Sequence, residues 1–349
     1  MLVWLFLCLG FPLFTTALIS CYGDYGKVVD WFIVYKLPKD KKQKEGGIYY
    51  MYQDGDTRGW VPGKSVMNRT DSAVGRTLSQ LYDVSNTKDV AYVLYNDQPP
   101  RYTASAIRGH TKGVVLLDSK QGFWLVHSTP HFPPPVNMKY DWPTNAFHNG
   151  QSFLCVTYSY NQFKDIGTQL LYNTISSYDS SIPETFSCDF PDLKAAAEDK
   201  QVTSRPWNRS VTLMSAGGKE FTSFSKTGKF RNDLYSGWLS EVLQSALYVQ
   251  FWRNSAGILP SDCSIPHHVY NIDYIAFSQA HNFSTHIDHS KWCVTDSGTP
   301  GWACVGDMNR NKEEERRGGG TVCIKDPVVW KSFNRLVSVY SNCEQVPND

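Results

Sequence analysis

Two triplets in this 349-residue chain carry an imidazole and an ammonium group two residues apart: His110-Thr111-Lys112 and His289-Ser290-Lys291. In extended backbone, side chains at i and i+2 point to the same side. Each triplet therefore aims one histidine and one lysine into common space. Two such pairs brought face to face would offer two imidazoles and two cations to a single phosphodiester. One imidazole can attack phosphorus and the other can protonate the departing oxygen, while the lysines neutralise the non-bridging oxygens. The spacing by itself is common, and two unrelated surface pairs would also produce it.

The wider context separates these readings. The second triplet continues as His-x-Lys-x-x-x-x-Asp, ending at Asp296, and resembles the signature of the phospholipase D superfamily. The first departs from it, with Leu117 five residues after Lys112 and Asp118 one further on. A closer resemblance runs through Cys21-Tyr22-Gly23-Asp24, Val29-Asp30-Trp31-Phe32, Tyr35-Lys36-Leu37-Pro38, Gly109-His110-Thr111-Lys112-Gly113-Val114 and Gly122-Phe123-Trp124-Leu125-Val126-His127-Ser128. It continues through Asp288-His289-Ser290-Lys291-Trp292, Cys304-Val305-Gly306-Asp307-Met308-Asn309-Arg310-Asn311 and Arg317-Gly318-Gly319-Gly320-Thr321. These blocks, in order along nearly the whole mature chain, resemble the deoxyribonuclease II family, and the opening Cys-Tyr-Gly-Asp is more similar to its alpha type than to its beta type.

The resemblance implies a phospholipase D-like α/β fold of two pseudo-twofold related halves with mixed β-sheets flanked by helices. Each half would supply one His-x-Lys to a site at their interface. It implies a metal-independent acid endonuclease that cuts DNA, with double-stranded DNA as substrate, through a phosphohistidine, leaving 3′-phosphate and 5′-hydroxyl ends. By this analogy His110 is the nucleophile and His289 the acid, roles that the triplets alone leave interchangeable. His127, Asp296 and Asn309 would support them, and no cofactor or metal is required. Of eight cysteines outside the leader, the resemblance pairs Cys21–Cys155, Cys263–Cys343 and Cys304–Cys323, leaving Cys188 and Cys293 unassigned. It also implies action in the lysosome, reached through the secretory pathway.

Composition fits an exported protein. Met1 to Ile19 is apolar and uncharged, ends in Thr15-Thr16-Ala17, and reads as a signal peptide over residues 1–17. An even cysteine count after its removal favours disulfides. Asn68-Arg69-Thr70, Asn208-Arg209-Ser210 and Asn282-Phe283-Ser284 are glycosylation sequons. No later stretch is long and apolar enough to span a bilayer, so stable membrane insertion is not expected. The formal net charge is only +1 with nine histidines counted neutral. Their reference pKa is about 6.5, so near pH 5 the chain becomes cationic and suited to a polyanion.

Stepping along the chain gives the elements that must position the triplets. Strands are expected at Val28–Leu37, Ile48–Tyr52, Val90–Tyr95, Gly113–Leu117, Phe123–Val126 and Ser152–Ser159, with a capped helix over Ser72–Tyr82. The run Lys39-Asp40-Lys41-Lys42-Gln43-Lys44 reads as a solvated hairpin loop. His127 at a strand end is either a third site histidine or a structural one, and His131 and His148 read as structural. Ser176 to Lys200 reads as a connection with a short helix at Leu193–Glu198, dividing residues 18–190 from 191–349. The second half offers strands at Val211–Met214, Leu247–Trp252 and Ile272–Phe277. It also offers an amphipathic helix over Asp233–Ala246, with Leu234, Trp238, Val242 and Leu243 inward. His267-His268 lacks the companions of a metal site. Lys312-Glu313-Glu314-Glu315-Arg316-Arg317 reads as an exposed loop and Gly318-Gly319-Gly320 as a turn. A last helix starts at Asp326-Pro327, its inward stripe running through Trp330, Phe333, Val337 and Tyr340.

Two rival functions remain at this level. A phosphodiesterase of the same fold acting on phospholipid would need an interfacial helix, and none is evident. A non-enzymatic secreted DNA-binding glycoprotein would have no need of two intact His-x-Lys pairs.

Overall fold

The computed structural model describes residues 18–39, 46–84, 88–101, 107–278, 281–299 and 301–343. The expected signal peptide and most of the lysine-rich loop lie outside them. Trp31–Lys36 is buried at every position because it is sandwiched on both faces. Trp31, Ile33 and Tyr35 point into the centre of the molecule, while Phe32 and Val34 point to an outer layer. The same alternation recurs in Lys112–Leu117 and Gln121–His127, as the two-residue period of a strand requires.

Eight strands form the first sheet, in the spatial order Ser177–Ser181, Ala91–Asn96, Lys112–Leu117, Gln121–His127, Gln151–Ser159, Trp31–Lys36, Tyr50–Asp54 and Val61–Pro62. All neighbours are antiparallel. The second sheet runs Asn208–Met214, Glu220–Lys226, Gly319–Lys325, Trp302–Gly306, Lys291–Thr295, Leu247–Gln250, Val269–Ser278 and His281–Ser284, with Val337–Ser341 also paired to Val269–Ser278. One pairing in it, Leu247–Gln250 with Val269–Ser278, is parallel. The sheets stack face to face. Trp31, Tyr35, Leu154 and Val156 of the first share one core with Trp292, Val294, Val305 and Ile324 of the second. Helices close the edges and outer faces, so the protein is α/β with two sheet-centred halves.

Helix Ala73–Val84 lays Ala73, Val74, Leu78 and Leu81 on the outer face of the first sheet, close to expectation. Helix Phe163–Asn173 was not foreseen, although Phe163, Ile166 and Leu170 step at helical spacing into the central core. Its Gly167 packs on the backbone of Leu193, where a Cβ has no room.

Three expectations are corrected. The helix over Asp233–Ala246 shrinks to a π-turn at Tyr235–Leu239 followed by Ser240–Val242. A π-turn adds a residue, so the buried stripe moves to Leu239 and Leu243 and Val242 ends 49 % exposed. The last helix stops at Asn334, and Val337–Ser341 is a strand. Gly319 and Gly320 lie inside a strand rather than a turn. They are needed there because a Cβ on Gly320 would strike the Phe224 carbonyl and one on Gly319 the Met308 sulfur.

The disulfides are Cys21–Cys155, Cys263–Cys343 and Cys304–Cys323, as the resemblance implied. Cys188 is an exposed thiol and Cys293 a buried one. Burial pushes the Cys293 thiol up, the opposite of what a thiolate nucleophile needs. Asn68 and Asn282 are exposed, and Asn208 is half-buried at a strand start.

Candidate active site

Both motif strands begin at their lysine, Lys112–Leu117 in one sheet and Lys291–Thr295 in the other. The histidines sit on the extended segments just before them. In each half the neighbouring antiparallel strand ends opposite that lysine, with Asn96 in register with Lys112 and Gly306 with Lys291. The next residue is an aspartate in both cases, Asp97 and Asp307. The repeat in the architecture therefore delivers His, Lys and Asp from each half.

These groups converge. Lys112 Nζ is 2.5 Å from Asp97 Oδ1, and the Lys112 N–H donates to Asp307 Oδ2 at 2.5 Å, across the seam between the halves. His289 and Lys291 both feel the charge of Lys112, and His289 also feels that of His110. Each histidine is oriented by the opposite half. His110 Nδ1 lies 2.6 Å from Glu314 Oε1, and the His110 N–H donates to the Gly318 carbonyl at 2.9 Å. His289 Nδ1 lies 3.0 Å from the Ser128 carbonyl oxygen, and the His289 N–H donates to the Gly150 carbonyl at 2.9 Å. In the tautomer that gives Nδ1–H to these oxygens, Nε2 is the nitrogen left for chemistry. Lys291 Nζ sits 2.8 Å from His289 Nδ1 and 3.2 Å from its Nε2.

A network behind the second triplet fixes it to the first half. Tyr35 donates to Asp288 Oδ2 at 2.5 Å, Ser290 Oγ donates to the same oxygen at 2.9 Å, and Trp292 Nε1 donates to the Tyr35 hydroxyl at 3.2 Å. The buried Lys36 ammonium donates to the Phe147 carbonyl at 3.0 Å and is pulled down to about 7 by burial. Gly150 packs against the Asp288 carboxylate, which leaves no space for a side chain there.

The electrostatics are divided. Burial lowers His110, and Glu314 partly offsets this. His289 is pushed well below the ordinary imidazole range by burial and then by Lys291 and Lys112. Lys291 is lowered by burial and by Lys112. Burial alone would raise Asp97, but Lys112, His110 and Arg317 outweigh it and hold the carboxyl low. Glu314 is likewise held low, chiefly by His110 against burial. Asp307 is raised to about 7 by burial.

His110, Lys112, His289 and Lys291 thus form one cluster. Asn309 joins it, with Nδ2 3.4 Å from His110 Nδ1 and Oδ1 accepting from the Trp252 N–H at 3.1 Å. His127 lies beneath the cluster, fully buried against Phe132 and Phe153, with Nδ1 accepting from the Thr129 N–H at 3.2 Å. Asp296 does not join. It is exposed at the far end of a five-residue strand, roughly 16 Å along the chain from Lys291 at strand rise, and accepts from Tyr248. The expected exposed charge run is corrected as well: Glu314 is only 4 % exposed and Arg317 reaches Asp97 at 3.0 Å. Sequence reasoning missed Asp97, Asp307, Glu314 and Arg317. The strand-end aspartates could have been found by laying the two halves over each other at their lysines.

Two stacked sheets, each contributing a His-x-Lys to one buried seam, define a protein of phospholipase D-like architecture. The chain belongs to the deoxyribonuclease II family, whose model matches residues 20–343. It is 48 % identical to deoxyribonuclease-2-alpha of Sus scrofa, over 94 % of this chain and 91 % of that one. Against deoxyribonuclease-2-alpha of Mus musculus it is 48 % identical over 93 % of this chain and 94 % of that one. Identity to the beta-type relative of Homo sapiens is 41 %, over 96 % of this chain and 94 % of that one. The alpha-type leaning of the opening Cys-Tyr-Gly-Asp agrees with these values.

Proposed function

We propose that this deoxyribonuclease II-type nuclease hydrolyses DNA phosphodiesters at acidic pH through a phosphohistidine. The observation that carries the reading is the reciprocal orientation of the two histidines. His110 turns Nδ1 to a carboxylate of the other half, and His289 turns Nδ1 to a backbone carbonyl of the other half. A carboxylate partner stabilises the imidazolium that develops as Nε2 attacks, which favours His110 as the nucleophile.

In the first step His110 Nε2 forms the bond to phosphorus and the bond to the 5′-oxygen breaks. His289 gives that oxygen its Nε2 proton. Water then attacks phosphorus, His289 takes its proton, and the histidine–phosphorus bond breaks, leaving the phosphate on the 3′ side of the upstream fragment. Lys112, Lys291 and the Asn309 amide neutralise or bind the non-bridging oxygens. The positive charge that a metal would otherwise bring comes from the lysines. Acidity matters because His289 is depressed by burial and then by its cationic neighbours, so both a bound phosphate anion and a low pH are needed to charge it. An acidic working pH, together with the expected leader and sequons, supports action in the lysosome.

The test is a DNA-cleavage assay near pH 5 with EDTA present. Cleavage is expected to persist, and His110→Ala or His289→Ala to abolish it in protein that remains folded. Lys112→Ala or Lys291→Ala should each slow it roughly 10²–10³-fold. Products should resist polymerase extension until a phosphatase removes the 3′-phosphate. Loss of activity in EDTA with recovery in magnesium, or products with free 3′-hydroxyls, would overturn the mechanism.

A further inference from the structure

A cleft of about 180 Å³ opens beside the His110 side of the site. Its inner wall is Gly318, whose carbonyl accepts the His110 N–H, and Thr174. Its rim carries Lys229, Arg231 and Arg316, all exposed. Lys229 and its near neighbour Arg231 come from the turn Gly228–Phe230 and its C-cap, Arg316 comes from the turn Glu314–Arg316, and the three converge on one space. Among the described residues none of the three is in an ion pair, whereas the nearby Arg108 pairs with Asp199, Lys312 with Glu315 and Arg317 with Asp97. Lys229 Nζ is held over the Trp207 ring at 4.7 Å, which fixes the ammonium without neutralising it. Arg231 keeps its position on left-handed backbone, φ +59°, a conformation that non-glycine residues adopt at some cost.

Exposed cations left without partners around a concavity repel one another, and a polyanion relieves this. Arg316 precedes Arg317, which contacts Asp97 and Glu314 inside the site. A strand with one phosphate between the histidines would therefore lay its neighbouring phosphates toward this rim. Resting on the nuclease reading above, we propose that the Lys229–Arg231–Arg316 cleft holds the sugar–phosphate backbone of the DNA strand on the His110 side of the cut. It binds by charge and shape, without reading bases.

A second cationic cleft supplies the control. Arg58, Lys331 and Arg335 line a cavity of about 270 Å³, but it lies by the helix that packs at Thr295, the end of the motif strand remote from the histidines. The experiment compares wild type with two triple variants of equal charge change. One is Lys229→Gln/Arg231→Asn/Arg316→Gln, asparagine being chosen because it tolerates left-handed backbone. The other is Arg58→Gln/Lys331→Gln/Arg335→Gln. Steady-state cleavage of duplex DNA at varied salt is measured. So is the anisotropy of a fluorescent duplex bound to the same proteins carrying His110→Ala.

The first variant should keep kcat at saturating DNA and raise KM and Kd about tenfold at low salt, with a salt slope shallower by roughly 2.7 units, about 0.9 for each of the three cations. The control variant should behave as wild type. Unchanged KM and salt slope in the first variant would overturn the proposal, as would an equal loss in both variants, which would mean a general charge effect. A wild type whose His110→Ala form binds DNA tightly through the cleft, yet which never cleaves, would sink the catalytic reading and leave this one standing.

Discussion

At the scale of residues, the site works through which atom each imidazole leaves free. Glu314 Oε1 at 2.6 Å from His110 Nδ1 selects the tautomer with a free Nε2 lone pair. Glu314→Gln keeps the shape and removes the charge. It should therefore lower kcat, on the order of 10²–10⁴-fold, and leave KM for DNA nearly unchanged. The pH–rate profile should move too, because Glu314 is the main group holding His110 up against burial. A kcat near wild type with an unshifted profile would reduce Glu314 to a packing role. The two histidines and two lysines of the cluster were legible because His-x-Lys is a local pattern. The sequence hid Glu314, which sits in a run of six charged residues that looks solvated and is turned inward by His110, 204 positions away, and by Lys226, 88 positions away. His127 illustrates a different limit. Its place at the end of a strand was legible, but its burial against Phe132 and Phe153 depends on the fold of the loop beyond it.

At the scale of elements, strands were read well where β-branched and aromatic residues are continuous, as in Trp31–Lys36 and Gln151–Ser159, because burial on both faces makes the pattern unambiguous. They were missed where polar residues alternate, as in Glu220–Lys226, or where glycines dominate, as at Gly319–Gly320. Register was not legible at all, and register is what sets Asp97 and Asp307 beside the lysines. The amino terminus shows how a strand is pinned: Cys21 is tied to Cys155 in the central strand of the first sheet. That bridge closes a span of 134 residues, against 19 for Cys304–Cys323, which joins register partners on adjacent strands. Loop-closure entropy gives about 5 kcal/mol for the longer span and about 3 kcal/mol for the shorter. The Cys21→Ser/Cys155→Ser variant should therefore lose more stability in denaturant melts than Cys304→Ser/Cys323→Ser. The reverse order would show that the sheet itself, rather than closure of the long span, depends on the shorter bridge.

At the scale of the whole molecule, the seam between the sheets is where folding and chemistry meet, and Asp307 shows how pH acts on it. Its carboxyl accepts the Lys112 N–H across the seam and is raised to about 7 by burial, from an unfolded value of about 3.9. The native state then holds this proton more tightly than the unfolded chain does. The stabilisation it contributes is fully present below about pH 4 and is lost as pH rises through about 7, on the order of a few kcal/mol. His110 and His289 are depressed and act in the opposite sense, as their contribution is present above about pH 6.5 and lost as pH falls. Asp97 and Glu314 are also depressed, so theirs is present above about pH 4 and lost only below it. Asp307→Asn isolates the first effect, because the amide keeps the shape and does not titrate. The melting temperature of the wild type relative to Asp307→Asn should be highest at about pH 4, decline steadily as pH rises toward 7, and level off above it. A difference that stays flat across that range, measured by calorimetry in matched buffers, would mean that Asp307 is ionised throughout and that the seam's acid tolerance has another source.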